Sequence, residues 1–243
     1  MDPLALKPFG VALRAYFEGD AAAELTFRRD DGHEGCVPAS HFFREPSAFT
    51  PIEKAALARA FGRVLDVGGG SGLHSLALQE GGFPVTAIDI NSDAVEIMAR
   101  RGVKEVRCID LFDYQGGPFD TLLLLGHGIG MVETIAGLDR FLEHAHRLVS
   151  ATGQVLVNSM DVSATQDSRH LAYHEANRRK NRYIGEIRMR IEHQDFKGPY
   201  CGWLQVDSGT LGEHAMAAGW DCQVIVTGEG GDYLARLTRR RGP

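Results

Sequence analysis

Residues 64–72 combine one acid with a cluster of glycines, in the sequence VLDVGGGSG. Gly68, Gly70 and Gly72 let the backbone turn sharply and approach a ligand with no Cβ in the way. The apolar residues before the glycines are typical of a buried strand, and the residues after them are typical of a helix. Such a helix presents the positive end of its dipole to whatever the turn holds. The segment therefore predicts a strand–turn–helix unit that binds a ligand.

Two further acids end the next two predicted strands. Asp89 closes the run VTAID, and Asp110 closes the run RCID. Ligands of open α/β sheets bind at the carboxyl ends of the strands, so these acids are expected at the ligand edge. A carboxylate at Asp89 would accept hydrogen bonds from both hydroxyls of a ribose. Dinucleotide-binding enzymes share the glycine turn, but an NAD site would leave Asp66 and Asp110 without a role.

The elements that position these residues alternate between strand and helix. Predicted strands cover residues 63–67, 84–88, 106–109, 121–125, 154–158, 222–227 and 233–237. Helices between strands imply right-handed crossovers and a parallel sheet. The predicted fold class is α/β, with a doubly wound, mostly parallel seven-stranded sheet, an antiparallel C-terminal hairpin, an N-terminal cap and an insertion after strand 5.

Two segments lie outside this alternation. Residues 1–51 mix aromatic and charged side chains without strong periodicity, and we expect them to form an N-terminal cap or substrate lid. The sheet domain is predicted over residues 52–243, with an inserted cap segment at about 162–206. Within the insertion, residues 185–193 alternate as a strand does, and we expect a hairpin that turns near Gly198-Pro199.

The chain resembles the class I S-adenosylmethionine-dependent methyltransferases, which have a Rossmann-like fold, over roughly residues 52–238. The order of the elements supports this resemblance, and its motifs are Asp66-x-Gly68-x-Gly70-x-Gly72, Asp89 and Asp110. It implies that S-adenosylmethionine is the cofactor. In that family the glycine loop cradles the methionine part, the acid after the second strand holds the ribose, and the acid after the third strand binds the adenine amino group.

The cofactor contacts that the resemblance implies fall on three turns of this chain. They are Asp66, Gly68, Gly70, Gly72, Asp89, Ile90, Asp110, Leu111 and Gly126.

Two residues after the fourth and fifth strands carry groups that can move a proton. His127 lies in the sequence GHGIG, at a position that in the family is beside the sulfonium and the acceptor. An imidazole titrates at about 6.5 and can deprotonate a hydroxyl or an amine. Its alternative role is to shape the pocket or to hydrogen-bond the cofactor. Asp161 either accepts a proton or holds an acceptor amine, or it caps a helix.

Aromatic side chains outside the sheet region are expected to fold over the acceptor, as such segments do in the family. Tyr16 and Phe43 are the predicted pocket-lining residues, and Arg44 is predicted to meet the methionine carboxylate. No metal site is predicted. His170 and His174 have the i,i+4 spacing of some metal sites, but no third ligand follows by spacing.

The composition narrows the class of protein. The 243 residues include 26 Lys and Arg and 32 Asp and Glu. The resulting net charge of -6 argues against electrostatic binding to the phosphate backbone of nucleic acid. No apolar run approaches the roughly 20 residues that a membrane helix needs. The four cysteines are scattered without a CxxC pair, and the N-terminus has neither a basic nor an apolar leader. We therefore expect reduced thiols and a cytoplasmic location.

The predicted function is transfer of the methyl group of S-adenosylmethionine to a small-molecule acceptor (EC 2.1.1). Two alternatives stay open. One is methylation of a protein or an RNA, with residues 169–190 as the docking surface, because this segment carries seven basic side chains and two acids. The other is a module that binds S-adenosylmethionine without catalysis. The sequence names neither the acceptor, nor the methylated element, nor an oligomeric state.

Overall fold

The computed structural model describes residues 1–240. Its helices are α1 (Lys7–Phe17), α2 (Pro51–Leu57), α3 (Leu73–Glu80), α4 (Ser92–Arg101), α5 (Ile135–Leu148), α6 (Ser168–Arg179) and α7 (Ser208–Ala217). Its strands are β1 (Glu24–Arg29), β2 (Glu34–Pro38), β3 (Val64–Val67), β4 (Val85–Asp89), β5 (Glu105–Cys108), β6 (Phe119–Leu124), β7 (Val149–Met160), β8 (Glu186–His193), β9 (Phe196–Lys197), β10 (Cys201–Leu204), β11 (Trp220–Thr227) and β12 (Asp232–Arg239). No helix in this part of the chain is both long and apolar enough to span a bilayer.

A seven-stranded sheet has the order β11-β12-β7-β6-β3-β4-β5. Within it β3, β4 and β5 pair in parallel, and so do β6 and β7. The last strand, β12, runs antiparallel to both β7 and β11. This confirms the predicted α/β fold, with a mostly parallel sheet that ends in an antiparallel hairpin.

The chain divides into two compact units. The first unit comprises Met1–Phe49, Arg63–Tyr114 and Arg188–Cys201. The second comprises Thr50–Gly62, Gln115–Ile187 and the described residues from Gly202 to 240. Residues 241–243, which the sequence assigns to the sheet domain, lie outside the described residues.

A small sheet in the first unit contains β1 and β2, two strands that the sequence patterns did not reveal. β1 pairs antiparallel with β2 on one side and with β8 on the other. Its buried residues Leu25 and Ile191 pack with Ala12 of α1. Charged residues interrupt the alternation in β1, where Arg28 pairs with Glu192, so the strand is difficult to recognise in the sequence.

The predicted hairpin is present, since β10 is the neighbour of β8 in the small sheet, but the chain reverses earlier than expected. His193 pairs with Phe196 of β9, so the chain reverses at residues 194–195 and not at Gly198-Pro199. Gln194 adopts a left-handed φ of 50° at this turn. Long polar side chains seldom adopt this conformation, and the glycine–proline pair nearby is the stronger turn signal in the sequence.

The second unit begins with the helix α2, which is capped at its N-terminus. The hydroxyl of Thr50 accepts from the Glu53 backbone N–H, and the Glu53 carboxylate accepts from the Thr50 N–H, which forms a complete capping box. The buried core of this unit includes Phe141, Leu156 and Trp220. The indole of Trp220 is satisfied inside it, because it donates to the Leu142 carbonyl at 3.0 Å.

Candidate functional site

The glycine loop of the first unit needs its glycines for two different reasons. Gly68, Gly70 and Gly72 all adopt positive φ, of 73°, 57° and 84°. A Cβ on Gly70 would meet nothing closer than Phe9 Cζ at 3.9 Å, so its requirement is conformational. A Cβ on Gly72 would lie 2.8 Å from Val103 Cγ2, so packing adds to the strain there. The loop therefore keeps an open backbone surface at Gly70, where a ligand can approach.

Arg101 braces this loop from the end of α4. Its guanidinium donates to the Ser71 carbonyl at 2.7 Å and to the Ser71 hydroxyl at 2.9 Å. The hydroxyl in turn donates to the carbonyl of Phe42. Burial lowers the pKa of Arg101. Sequence reasoning missed Arg101, because its position in the last turn of a helix gives no sign of the loop it contacts.

Asp89 lies at the end of β4 with its carboxylate turned to backbone donors. Gly70 N donates to Oδ2 at 2.9 Å and Asn91 N donates to Oδ1 at 2.8 Å. Burial raises the pKa of Asp89, and these two hydrogen bonds oppose that rise. The glycine loop and the acid predicted to hold the ribose are thus joined by a direct hydrogen bond.

Asp66 is buried beneath the loop and accepts from the Ser75 hydroxyl at 2.6 Å. Burial raises its pKa as well, while the charge of His74 and the Ser75 hydrogen bonds oppose the rise. These contacts hold the strand β3 to the first turn of α3. From its buried position, Asp66 therefore stabilises the conformation of the glycine loop.

The residues predicted to bind adenine follow the neighbouring strand ends. Asp110 Oδ1 accepts from Phe112 N at 2.8 Å, and Oδ2 lies 3.5 Å from the amino group of Met1. Ile90 presents its carbonyl to the thiol of Cys108 at 3.7 Å, and Leu111 is buried. With the open surface at Gly70 and the carboxylate of Asp89, this set fits the ribose, adenine and backbone contacts that S-adenosylmethionine requires.

The structure brings together Tyr16 and Phe43, the two residues predicted to line the acceptor pocket. The rings of Tyr16 and Phe43 have centroids 4.8 Å apart. The guanidinium of Arg101 lies over the Phe43 ring at 4.9 Å. Arg44 follows directly, at the end of the short 3-10 turn Ala39–Phe43.

In the second unit, His127 forms a compact polar cluster with two residues that the sequence analysis missed. His127 Nε2 lies 3.0 Å from Asp232 Oδ1, and its backbone N–H donates to Asn158 Oδ1 at 2.9 Å. Asn158 Nδ2 donates to the same Asp232 oxygen at 2.6 Å. We call these three residues the histidine cluster.

Strand pairing explains why three distant residues meet. β12 runs antiparallel to β7, with Leu234 opposite Asn158 and Asp232 opposite Met160, so the start of β12 lies beside the carboxyl end of β7. β6 runs parallel to β7 and leads into Gly126 and His127, which both turn with positive φ, of 59° and 58°. The sequence contained one signal for this arrangement. An antiparallel last strand begins at the edge where the parallel strands end, and the first residue of β12, Asp232, is an acid.

The histidine cluster defines which imidazole nitrogen can act as a base. An ionised Asp232 only accepts hydrogen bonds, so Nε2 carries a proton and donates to it. Nδ1 then holds the free lone pair. The side chain of His127 is 31% exposed, which leaves the ring accessible to a ligand.

Asp161 and the histidine pair of α6 have other contacts. Asp161 Oδ1 accepts from the backbone N–H of Ser163 at 2.8 Å and from its hydroxyl at 2.6 Å, which is a capping arrangement. His174 is buried in α6, whereas His170 is half-buried. Among residues 1–240, no three His, Cys, Asp or Glu side chains are grouped so that they could hold a metal ion.

Comparison with known proteins identifies relatives over nearly the whole chain. The family described as "Methyltransferase domain" matches residues 40–210. A SAM-dependent methyltransferase from Bacteroides fragilis, solved with S-adenosyl-L-homocysteine, is 33% identical over 99% of this chain and 98% of its own, with a TM-score of 0.86. No curated protein matches the chain.

Two more distant structures share the fold. The sugar N-methyltransferase KedS8 from Streptoalloteichus sp ATCC 53650 is 16% identical over 84% of this chain and 94% of its own, with a TM-score of 0.57. CalS10, an amino pentose methyltransferase from Micromonospora echinaspora solved with SAM, is 16% identical over 77% and 88%, with a TM-score of 0.53. With these matches and the cofactor motifs in place, the chain belongs to the class I S-adenosylmethionine-dependent methyltransferases.

Proposed function

We propose that this enzyme methylates a hydroxyl or an amine of a small-molecule acceptor, with His127 as the general base. The observation that carries the proposal is the 3.0 Å contact between His127 Nε2 and Asp232 Oδ1. This contact orients the imidazole ring of His127 and leaves Nδ1 available to accept a proton. Asn158 holds both partners, since it binds the backbone of His127 and the carboxylate of Asp232.

The first unit is assigned the cofactor. The loop from Gly68 to Gly72 holds the methionine part, Asp89 the ribose hydroxyls and Asp110 the adenine amino group. Ile90 and Leu111 complete the contacts within this unit. Bound S-adenosylmethionine supplies an electrophilic methyl group on a sulfonium.

His127 has one task in this scheme. Methyl transfer to a neutral O–H or N–H group leaves one proton in excess on the acceptor. Nδ1 of His127 takes that proton, and the adjacent carboxylate of Asp232 stabilises the imidazolium that forms. Base catalysis of this kind typically contributes about a hundred- to ten-thousandfold in rate.

Several features support a small acceptor. The net charge of -6 does not favour a polyanion. KedS8 and CalS10, which share the fold, are described as acting on a sugar and an amino pentose. Tyr16 and Phe43 are assigned to the acceptor side, and Arg44 to the methionine carboxylate.

The four cysteines form no disulfide and support a cytoplasmic location.

The test supplies methyl-labelled S-adenosylmethionine and a bacterial extract split into small-molecule, protein and nucleic-acid fractions. Label in the small-molecule fraction, lost with His127→Ala, is the expected result. Label in protein or RNA would contradict the small acceptor and assign the basic segment 169–190 to docking. Tightly bound S-adenosylhomocysteine with no label in any fraction would favour a module without catalysis.

A further inference from the structure

The N-terminal helix α1 packs directly on the start of α4, close behind Asp89 in the chain. Leu13 of α1 forms a buried apolar cluster with Ala94 and Ile97 of α4. The two helices approach so closely at Gly10 that a Cβ there would lie 2.3 Å from Asn91 Oδ1. No side chain fits at this position without moving α1 or the Asn91 amide.

Asn91 connects three structures through three different groups. Its Oδ1 caps α4, accepting from the backbone N–H groups of Asp93 at 2.9 Å and Ala94 at 3.3 Å. Its Nδ2 donates to the Leu6 carbonyl, at the entry to α1, at 2.5 Å. Its backbone N–H donates to Asp89 Oδ1 at 2.8 Å. Because Asn91 is 4% exposed and each end of its amide has its own partners, the orientation of the amide is fixed by the network.

Ion pairs hold α1 in the same place. Asp93 receives Lys7 Nζ at 2.6 Å and Arg14 Nη2 at 2.8 Å. Arg14 also forms a two-point contact with Glu96, at 2.7 and 3.0 Å. Burial raises the pKa of Asp93, but the hydrogen bonds from Lys7 and Arg14 outweigh it and keep the pKa below its ordinary value. Both charged carboxylates of α4 are therefore committed to α1.

The same helix also reaches the glycine loop. Phe9 of α1 is the side chain nearest to a Cβ built on Gly70, at 3.9 Å. The Gly70 N–H in turn donates to Asp89 Oδ2. The Asp89 carboxylate is thus held at Oδ1 by the backbone of Asn91, whose amide binds the entry to α1. It is held at Oδ2 by the backbone of Gly70, where an added Cβ would lie near Phe9.

We propose that Asn91 is a positioning residue, which couples the seating of α1 to the ribose-binding geometry of Asp89. Seating of α1 fixes the Asn91 amide, and the amide fixes the backbone N–H that orients the carboxylate. Cofactor affinity then depends on residues of α1 that lie outside the glycine motif. This inference rests on the assignment of Asp89 to the ribose.

The experiment titrates S-adenosylhomocysteine by calorimetry into wild type, Asn91→Ser and Gly10→Ala. A serine keeps the helix cap but has no amide to donate to Leu6, and the alanine methyl pushes α1 away from Asn91. We expect affinity to fall about five- to tenfold in each, the effect of one lost hydrogen bond of this kind. Amide exchange in residues 7–17 should slow on ligand addition in wild type and slow less in both variants.

The matched control is Gly212→Ala in α7, a helical glycine whose added Cβ would meet nothing within 4 Å. It should bind the ligand as wild type does. Asp93→Asn, which weakens the ion pairs and keeps Asn91, should give an intermediate loss and serves if Gly10→Ala does not fold.

Asp89→Ala separates the two ways in which the inference can fail. If Asp89→Ala binds S-adenosylhomocysteine normally, the assignment of the ribose to Asp89 is wrong. If Asp89→Ala loses affinity while Asn91→Ser and Asp93→Asn only lower Tm, then α1 has a structural role and the coupling is refuted.

Discussion

The two units build their functional groups in opposite ways. In the first, the glycine loop and Asp89 come from residues close together in the sequence, and the Gly70–Asp89 hydrogen bond spans 19 residues. In the second, His127 meets Asn158 and Asp232 across 31 and 105 residues. A loop that binds a ligand through its backbone needs local φ values that only glycine adopts readily, so it is recognisable as a sequence motif. A side-chain cluster requires only that strand ends meet, so no sequence motif marks its residues.

Burial also separates the two groups. Asp66 and Asp89 are buried, and burial raises the pKa of both. In the histidine cluster, by contrast, His127 and Asp232 keep 31% and 26% of their side chains exposed. The first unit holds its carboxylates in a low-dielectric setting, whereas the second unit leaves the proposed base partly exposed. The predictions below test this division of roles.

The largest effect is expected from His127→Ala, which removes the proposed base. The turnover number should fall about a hundred- to ten-thousandfold, measured with the acceptor identified from the labelled fractions. The matched control is His214→Ala, since His214 also lies against a carboxylate of the second unit, Asp139, at 2.6 Å. Equal losses in the two variants would contradict a specific role for His127.

Asp232→Asn should have the next largest effect, because an amide at this position can donate to Nε2 and move the imidazole proton to Nδ1. We expect the turnover number to fall about tenfold or more, while KM for S-adenosylmethionine stays unchanged. Asp139→Asn, the equivalent change at the exposed pair, should leave both constants unchanged. A rise in KM for the cofactor alone would place Asp232 on the cofactor side.

The buried acid Asp66 predicts a pH dependence of stability. Its pKa is raised in the folded state, so the native protein holds a proton that the unfolded chain releases. The free energy of unfolding should therefore decrease as pH rises from about 4 through the folded pKa, by at most about 1.4 kcal/mol per pH unit for one group. Asp66→Asn should reduce this slope in denaturant titrations, and Asp139→Asn should not. An unchanged slope in Asp66→Asn would contradict the prediction.

The smallest effect distinguishes strain from ligand contact in the loop. Gly70→Ala and Gly82→Ala both place a methyl at positive φ with no atom closer than 3.9 Å. Each should lower the free energy of unfolding by about 1–2 kcal/mol. Only Gly70→Ala should also weaken S-adenosylhomocysteine binding in calorimetry. Equal affinities in the two variants would remove Gly70 from the cofactor surface.

The sequence was sufficient for the seven-stranded sheet and for the strand–turn–helix unit at residues 64–72, because apolar strand runs and a glycine cluster are local patterns. It was not sufficient for contacts made by tertiary structure alone. Arg101 reaches Ser71 from the end of a helix, and Asp232 reaches His127 through the pairing of β12 with β7. Neither residue belongs to a local pattern, since each depends on which strands and helices become neighbours.

The most direct test of the division of roles is S-adenosylhomocysteine binding to Asp89→Ala and His127→Ala, measured side by side by calorimetry. Asp89→Ala should weaken binding by about 1.5–3 kcal/mol, through loss of charge-assisted hydrogen bonds to the ribose. His127→Ala should bind as wild type does. If the two variants lose affinity equally, His127 belongs to the cofactor site and the proposed base is wrong.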